Sequence, residues 1–145
     1  MNSIISSYNN LVSKIEDLSS IPLLLLRLVL AYGFYKPAIM KWQDINAIAG
    51  WFESMGMPLP TLNAYMAAST ELAGVVLLTL GLGTRLISIP LIVVMLVAIK
   101  TVHLDNGFDA GDNGFEIPLY YMLMLIVLLV SGAGKFSLDK ILKVK

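Results

Sequence analysis

Four long apolar stretches constrain the fold of this 145-residue sequence more than any other feature. Crossing the roughly 30 Å hydrocarbon core of a bilayer takes about 20 predominantly apolar residues. Two of the stretches have that length, and the other two need their flanking residues to complete a crossing. The stretches cover residues 20–40, 62–82, 86–102 and 117–131. We therefore predict an all-α integral membrane protein, a four-helix bundle that forms one domain over residues 1–145.

The composition excludes several other classes of protein. Charged residues make up 14% of the chain and the mean hydropathy is +0.79, whereas soluble domains carry about 25% charged residues. The 10 basic residues balance the 10 acidic ones, so the basic excess expected of a nucleic-acid-binding protein is missing. With no Cys and a single His, we expect no metal site and no covalent cofactor. Redox chemistry would need a group from a ligand or a partner.

The charges outside the spans predict the orientation. The positive-inside rule places basic segments in the cytoplasm. The basic segments of this sequence are the short connection 81–85 and the tail 132–145. The connection between the third and fourth spans is acidic. We therefore predict that both termini are cytoplasmic and that the two longer loops face outside.

A helical stripe of apolar residues precedes the first span. The residues recur at spacings of three and four, which is typical of an amphipathic helix. They are Ile4, Ile5, Tyr8, Leu11, Val12, Ile15 and Leu18. We expect residues 1–19 to form an amphipathic helix that lies on the membrane surface or against a partner.

Ionisable side chains inside the spans mark candidate functional positions, since each costs about 2.5–3.5 kcal/mol at the centre of a membrane helix. In the first span one helical face carries cations at both ends and small or aromatic residues between them. This face consists of Arg27, Ala31, Phe34, Ala38 and Lys41. Lys36 points roughly the opposite way, and Pro37 should bend the helix.

Glu71 lies near the middle of the second span. By the same periodicity it shares a face with Gly74, Leu78 and Arg85. Counted at about 1.5 Å per residue from the cytoplasmic side, Arg27 lies about 10 Å deep and Glu71 about 15 Å deep, within reach of the long Arg side chain. We predict that these two side chains form an ion pair.

The charged groups also predict a polar cavity that opens at the outer face. A lid would come from the loop that carries Phe108 and Phe115, while Arg27 and Glu71 would form the floor. The candidate ligand-binding residues are Arg27, Lys41, Glu71, Lys100, His103 and Glu116. Intramembrane ionisable groups usually mark a ligand, ion or proton site, but the alternative that they only hold the helices together stays open.

Taken together, these residues resemble the DoxX family of small four-helix bacterial membrane proteins. The resemblance covers about residues 22 to 140. It rests on the Arg27 face, Glu71-Leu72-Ala73-Gly74, Gly114-Phe115-Glu116 and Gly132-Ala133-Gly134-Lys135-Phe136-Ser137-Leu138-Asp139. The sequence differs from the family pattern at Ala31 and Ala38, where the family usually has Gly, and in Lys36-Pro37.

The resemblance implies a bacterial inner-membrane protein linked to membrane oxidoreductases, among them an archaeal thiosulfate:quinone oxidoreductase. The expected role is that of a quinone-interacting or anchoring subunit, with quinone as a non-covalent ligand and Arg27, Lys41, Lys100 or His103 as donors. Two alternatives remain open, a carrier of a small solute or anion and a scaffold without a ligand. A partner subunit and a homodimer are both compatible with the sequence.

Overall fold

The structure is a computed structural model that describes residues 2–143, and all regular secondary structure in that range is helical. The side chain of Ile4 and the residue Lys145, both part of sequence predictions, lie outside the described part. The helices are α1 (Asn2–Asp17), α2 (Ser20–Gln43), α3 (Ile45–Ser54), α4 (Pro60–Leu80), α5 (Thr84–Ala98), α6 (Glu116–Ser131) and α7 (Leu138–Ile141).

Three of these segments are long and apolar enough to cross a membrane. They are α2 with 24 residues, α4 with 21, and Thr84–Asn106 with 23, in which a π-helical and a 3₁₀ turn extend α5. The apolar α6 is shorter, with 16 residues. The prediction of an all-α protein with apolar, membrane-capable helices is confirmed, with ends that differ by a few residues.

The helix ends follow from local backbone chemistry. Pro60 begins α4, a position where its missing N–H costs nothing, and Gly81 ends α4 in the left-handed conformation (φ 65°). Because α4 stops at Leu80, Arg85 belongs to α5, so its predicted place on the Glu71 face is wrong. The α2 helix continues past Pro37 to Gln43.

Helix α3 occupies part of the connection between the first and second spans, for which a loop is predicted. Asp44 caps it, since its side chain accepts a hydrogen bond from the Ala47 amide at 3.0 Å. Ala49 and Phe52 are buried and pack against Ala64 of α4. The first long connection is therefore a helix that lies against the bundle.

Helices α2, α4, α5 and α6 form the packed body of the protein, and each contacts two of the others. Small residues allow α2 and α4 to approach closely: Ala38, Ala64 and Ala68 have no exposed surface. Arg27, Ala31 and Phe34 are also buried, so the predicted inward face of α2 is confirmed. Many exposed side chains on these helices are apolar, among them Leu25 of α2, Val93 of α5 and Leu123 of α6.

Helix α1 covers Asn2–Asp17 of the segment for which an amphipathic helix is predicted, and the apolar side chains of the predicted stripe are uncovered. Ile5, Tyr8, Leu11, Ile15 and Leu18 are each more than half exposed. Nothing among the described residues covers this stripe, and its contact with a membrane surface or a partner stays a prediction.

Candidate functional site

Polar side chains of α2 contact α4 at two places. The two helices run antiparallel, because Arg27 near the start of α2 contacts Leu78 while Lys41 near its end contacts Glu71. We call the end of the bundle near Ser20 and Gly81 the tail end. The opposite end, which carries α3 and residues 103–116, is the loop end.

Lys41 and Glu71 form an ion pair within this helix contact. The Lys41 Nζ donates to Oε1 at 2.9 Å and to Oε2 at 2.8 Å, and the two side chains are 17% and 4% exposed. Among the side chains that the structure describes, it is the one salt bridge. A lysine ammonium has three N–H donors, so one donor of Lys41 has no partner in the described part of the chain.

The predicted ion pair between Arg27 and Glu71 is wrong. Side chains on a helix lean toward its N-terminus, so in antiparallel helices Lys41 and Glu71 lean toward each other while Arg27 leans away toward the tail end. Lys41 lies about 21 Å from Arg27 along α2, and Glu71 about 10 Å from Leu78 along α4. Because the two side chains lean toward each other, they bridge the separation between the Lys41 and Glu71 backbones along the helix axes.

Arg27 is fully buried and binds backbone carbonyls instead. Its Nη1 donates to the Leu78 oxygen at 3.3 Å, and its Nη2 donates to the Phe136 oxygen. Gly81 makes room for the guanidinium, because a Cβ at that position would overlap Nη1. The negative charge of Asp139 also acts on Arg27. Arg27 thus joins α2 and α4 to the C-terminal segment.

Residues 132–143, predicted as part of a basic tail, fold back onto the tail end. The amide of Lys135 donates to the Ser20 hydroxyl at 3.1 Å, and the amide of Asp139 donates to the Gly81 oxygen at 2.9 Å. The Asp139 carboxylate accepts from the amides of Gly83 at 2.7 Å and Thr84 at 3.1 Å. Asp139 therefore caps α5 from a distant part of the chain.

The other three candidate residues form no described hydrogen bond or ion pair with Lys41 or Glu71. Lys100 is exposed, and its side chain forms no hydrogen bond or ion pair with the described residues. His103 Nδ1 hydrogen-bonds the Asn113 oxygen at 2.8 Å, and Glu116 accepts from the Ala110 amide at 3.1 Å. His103 and Glu116 thus shape the loop between α5 and α6.

The predicted lid residues contact each other, and the rings of Phe108 and Phe115 have centroids 5.5 Å apart. No group of three His, Asp or Glu side chains that could hold a metal ion occurs in the described residues.

Two surface grooves lie toward the tail end. One, of about 830 Å³, lies between the C-terminal segment and the starts of α2 and α5. The other, of about 440 Å³, is apolar and lies along α4 and α5. None of the six candidate residues lines either groove, so the predicted outer cavity stays a prediction.

Comparison with known proteins identifies the family. The family model described as DoxX matches residues 22–104, more than half of the chain, including most of α2, all of α4 and both members of the ion pair. This chain belongs to the DoxX family. No solved structure matches it.

Three relatives illustrate what is known of such DoxX proteins. An uncharacterized protein of Haemophilus influenzae is 35% identical over 86% of this chain and 85% of its own length. The Bacillus subtilis protein named "Putative oxidoreductase CatD" is 34% identical over 80% and 83%. An uncharacterized membrane protein of Mycobacterium tuberculosis is 33% identical over 79% and 77%. Together with the apolar helices, these findings identify a DoxX family membrane protein.

Proposed function

We propose that this protein binds a quinone head group at the Lys41–Glu71 pair and acts as a quinone-interacting subunit of a membrane oxidoreductase. The observation that carries the proposal is the buried pair with one unused ammonium donor. Buried ion pairs often stabilise no better than well-packed apolar residues. A pair inside an apolar helix contact therefore favours a binding role over a purely structural one.

The chemistry of the pair matches both redox states of a quinone. The third N–H of Lys41 can donate to a quinone carbonyl oxygen, and the Glu71 carboxylate has lone pairs that can accept from a quinol hydroxyl. Trp42 follows Lys41 in the sequence, and its ring contacts the ring of Tyr65 of α4 edge to face, with centroids 5.8 Å apart. Such rings suit a flat head group and the start of its apolar tail.

The electron donor belongs to a partner in this proposal. The chain has no Cys and a single His, so it binds and orients the head group while a redox-active partner subunit supplies the electrons. The name of the Bacillus subtilis relative, which refers to an oxidoreductase, supports this class of role.

The proposed setting is the bacterial inner membrane. Here α2, α4, α5 and α6 cross as a four-helix bundle, α1 lies at the interface, and the tail end faces the cytoplasm. A Cys replacing Asp109 should react with an impermeant thiol reagent from outside the cell, and one replacing Lys143 should not. The reverse labelling would invert this orientation.

Binding of a short-chain quinone analogue to the protein in nanodiscs tests the function. The wild type should bind saturably, and the double variant Lys41→Met/Glu71→Met, which removes both charges together and so avoids an unpaired buried charge, should bind at least 10-fold more weakly. Lys36→Met, on the exposed face of α2, is the matched control and should bind like the wild type.

Two results would contradict the proposal. One is a wild type without saturable binding, and the other is a folded double variant that binds as tightly as the wild type. Anion flux into liposomes by a wild type that binds no quinone would favour the carrier alternative.

A further inference from the structure

The larger groove at the tail end combines charged and apolar walls. Its volume is about 830 Å³, within the roughly 300–1,000 Å³ range of small-molecule sites. Leu23, Leu86 and Ile89 line its apolar side. Its polar side contains serine hydroxyls, exposed backbone and three cations. An amphiphilic ligand fits such a surface better than a purely polar one.

The charge of the groove is positive. Arg85, Lys135 and Lys140 line it, and all three are exposed. Asp139 lines it too, but both of its carboxylate oxygens already accept amide hydrogen bonds from the start of α5. Three cations therefore face one acidic group whose oxygens are engaged.

The arginine is fixed in place by its neighbours. Its Nη2 donates to the Val130 oxygen at 3.1 Å. Gly132, with φ 79°, lies beside it, and a Cβ at that glycine would come within 3.2 Å of the Arg85 Nε. The missing side chain lets the guanidinium lie against the backbone at the end of α6, at the mouth of the groove.

We propose that this groove binds an anionic phospholipid, with the phosphate on Arg85, Lys135 and Lys140 and an acyl chain along Leu23 and Leu86. Basic pockets between membrane helices at the cytoplasmic side suit such head groups, and the apolar wall continues onto the lipid-facing surface of α5. A free phosphate would use the cations alone and leave this wall empty. The site lies at the opposite end of the bundle from the ion pair.

Native mass spectrometry of the detergent-purified full chain tests the proposal. The protein is titrated with phosphatidylglycerol or with the neutral phosphatidylcholine, and the fraction that retains lipid after collisional activation is measured. This fraction should be at least 10-fold higher for phosphatidylglycerol. The triple variant Arg85→Gln/Lys135→Gln/Lys140→Gln should reduce this preference to about that of the neutral lipid. The matched control Lys36→Gln/Lys100→Gln removes two exposed cations elsewhere and should retain the preference.

A second variant examines the apolar wall without changing any charge. Leu86 is exposed, so Leu86→Trp should fill the groove and lower phosphatidylglycerol occupancy several-fold while the protein stays folded. Equal retention of both lipids by the wild type would overturn the proposal, as would a triple variant that binds phosphatidylglycerol like the wild type. Complete displacement of the lipid by millimolar inorganic phosphate would also overturn it, since it would identify a simple anion site.

Discussion

Replacing Asp139 with Ala should lower the free energy of unfolding by about 2 kcal/mol, because Asp139 stabilises the tail end of the bundle. Its carboxylate accepts hydrogen bonds from the amides of Gly83 and Thr84 at the start of α5. Losing a capping side chain costs about 0.5–2 kcal/mol, and losing a negative charge at a helix N-terminus costs about 0.3–1 kcal/mol. Asp139 also acts electrostatically on the buried Arg27, which adds to the expected loss.

Two measurements in detergent micelles check this magnitude. The free energy of unfolding should fall by about 2 kcal/mol, and hydrogen exchange of the Thr84 amide should accelerate. Asp139→Asn, which keeps one acceptor oxygen, should lose about half as much. Asp112→Ala removes an exposed acidic side chain without a described hydrogen bond and is the control, with a change below about 0.5 kcal/mol. The capping account would be refuted if Asp139→Ala matched this control and left the exchange of Thr84 unchanged.

Two further perturbations address the helix contacts. Gly81→Ala should destabilise the protein by about 2–4 kcal/mol in the same unfolding assay, because φ is 65° and the new Cβ would overlap the buried Arg27 guanidinium. The control Gly83→Ala has a similar φ of 58° but open space for the Cβ, so it should cost only about 1 kcal/mol. Equal losses would contradict the close packing of Gly81 against Arg27. Lys41→Met and Glu71→Gln should each lower the free energy of unfolding by about 3–5 kcal/mol, because each leaves the charge of its partner unpaired. The double variant should lose clearly less than the sum of the two single losses. Strictly additive losses would show that the pair does not form.

The sequence was sufficient to predict the long apolar helices and the inward face of α2. The length of an apolar segment indicates whether a helix can span a membrane. The 3.6-residue period indicates which residues share one face of the helix, and Arg27, Phe34 and Ala38 on the predicted face are buried. Helix α3 was missed because its short apolar segment Ile45–Ser54 does not have the length of a span. Asp44 was the available signal, since Asp is a favoured N-cap residue.

The partner of each charge could not be read from periodicity alone. Counting residues gives the depth of a Cα atom, whereas pairing depends on the direction in which a long side chain leans. Residue counting puts Arg27 and Glu71 within about 5 Å of each other in depth, but their side chains lean apart, while the Lys41 Nζ reaches the Glu71 carboxylate at 2.8 Å. The capping role of Asp139 depends on contacts more than 50 residues apart in sequence, which no local pattern reveals.

Photo-crosslinking with an azido-quinone in native membranes tests the central claim most directly, because it reports where the head group lies. The account predicts that the label, mapped by peptide mass spectrometry, is attached within residues 38–45 of α2 and α3 or 64–71 of α4. It also predicts that excess unlabelled quinone removes this label. Competable labelling confined to residues 100–116, at the loop of His103 and Glu116, would contradict the assignment of the head group to the Lys41–Glu71 pair.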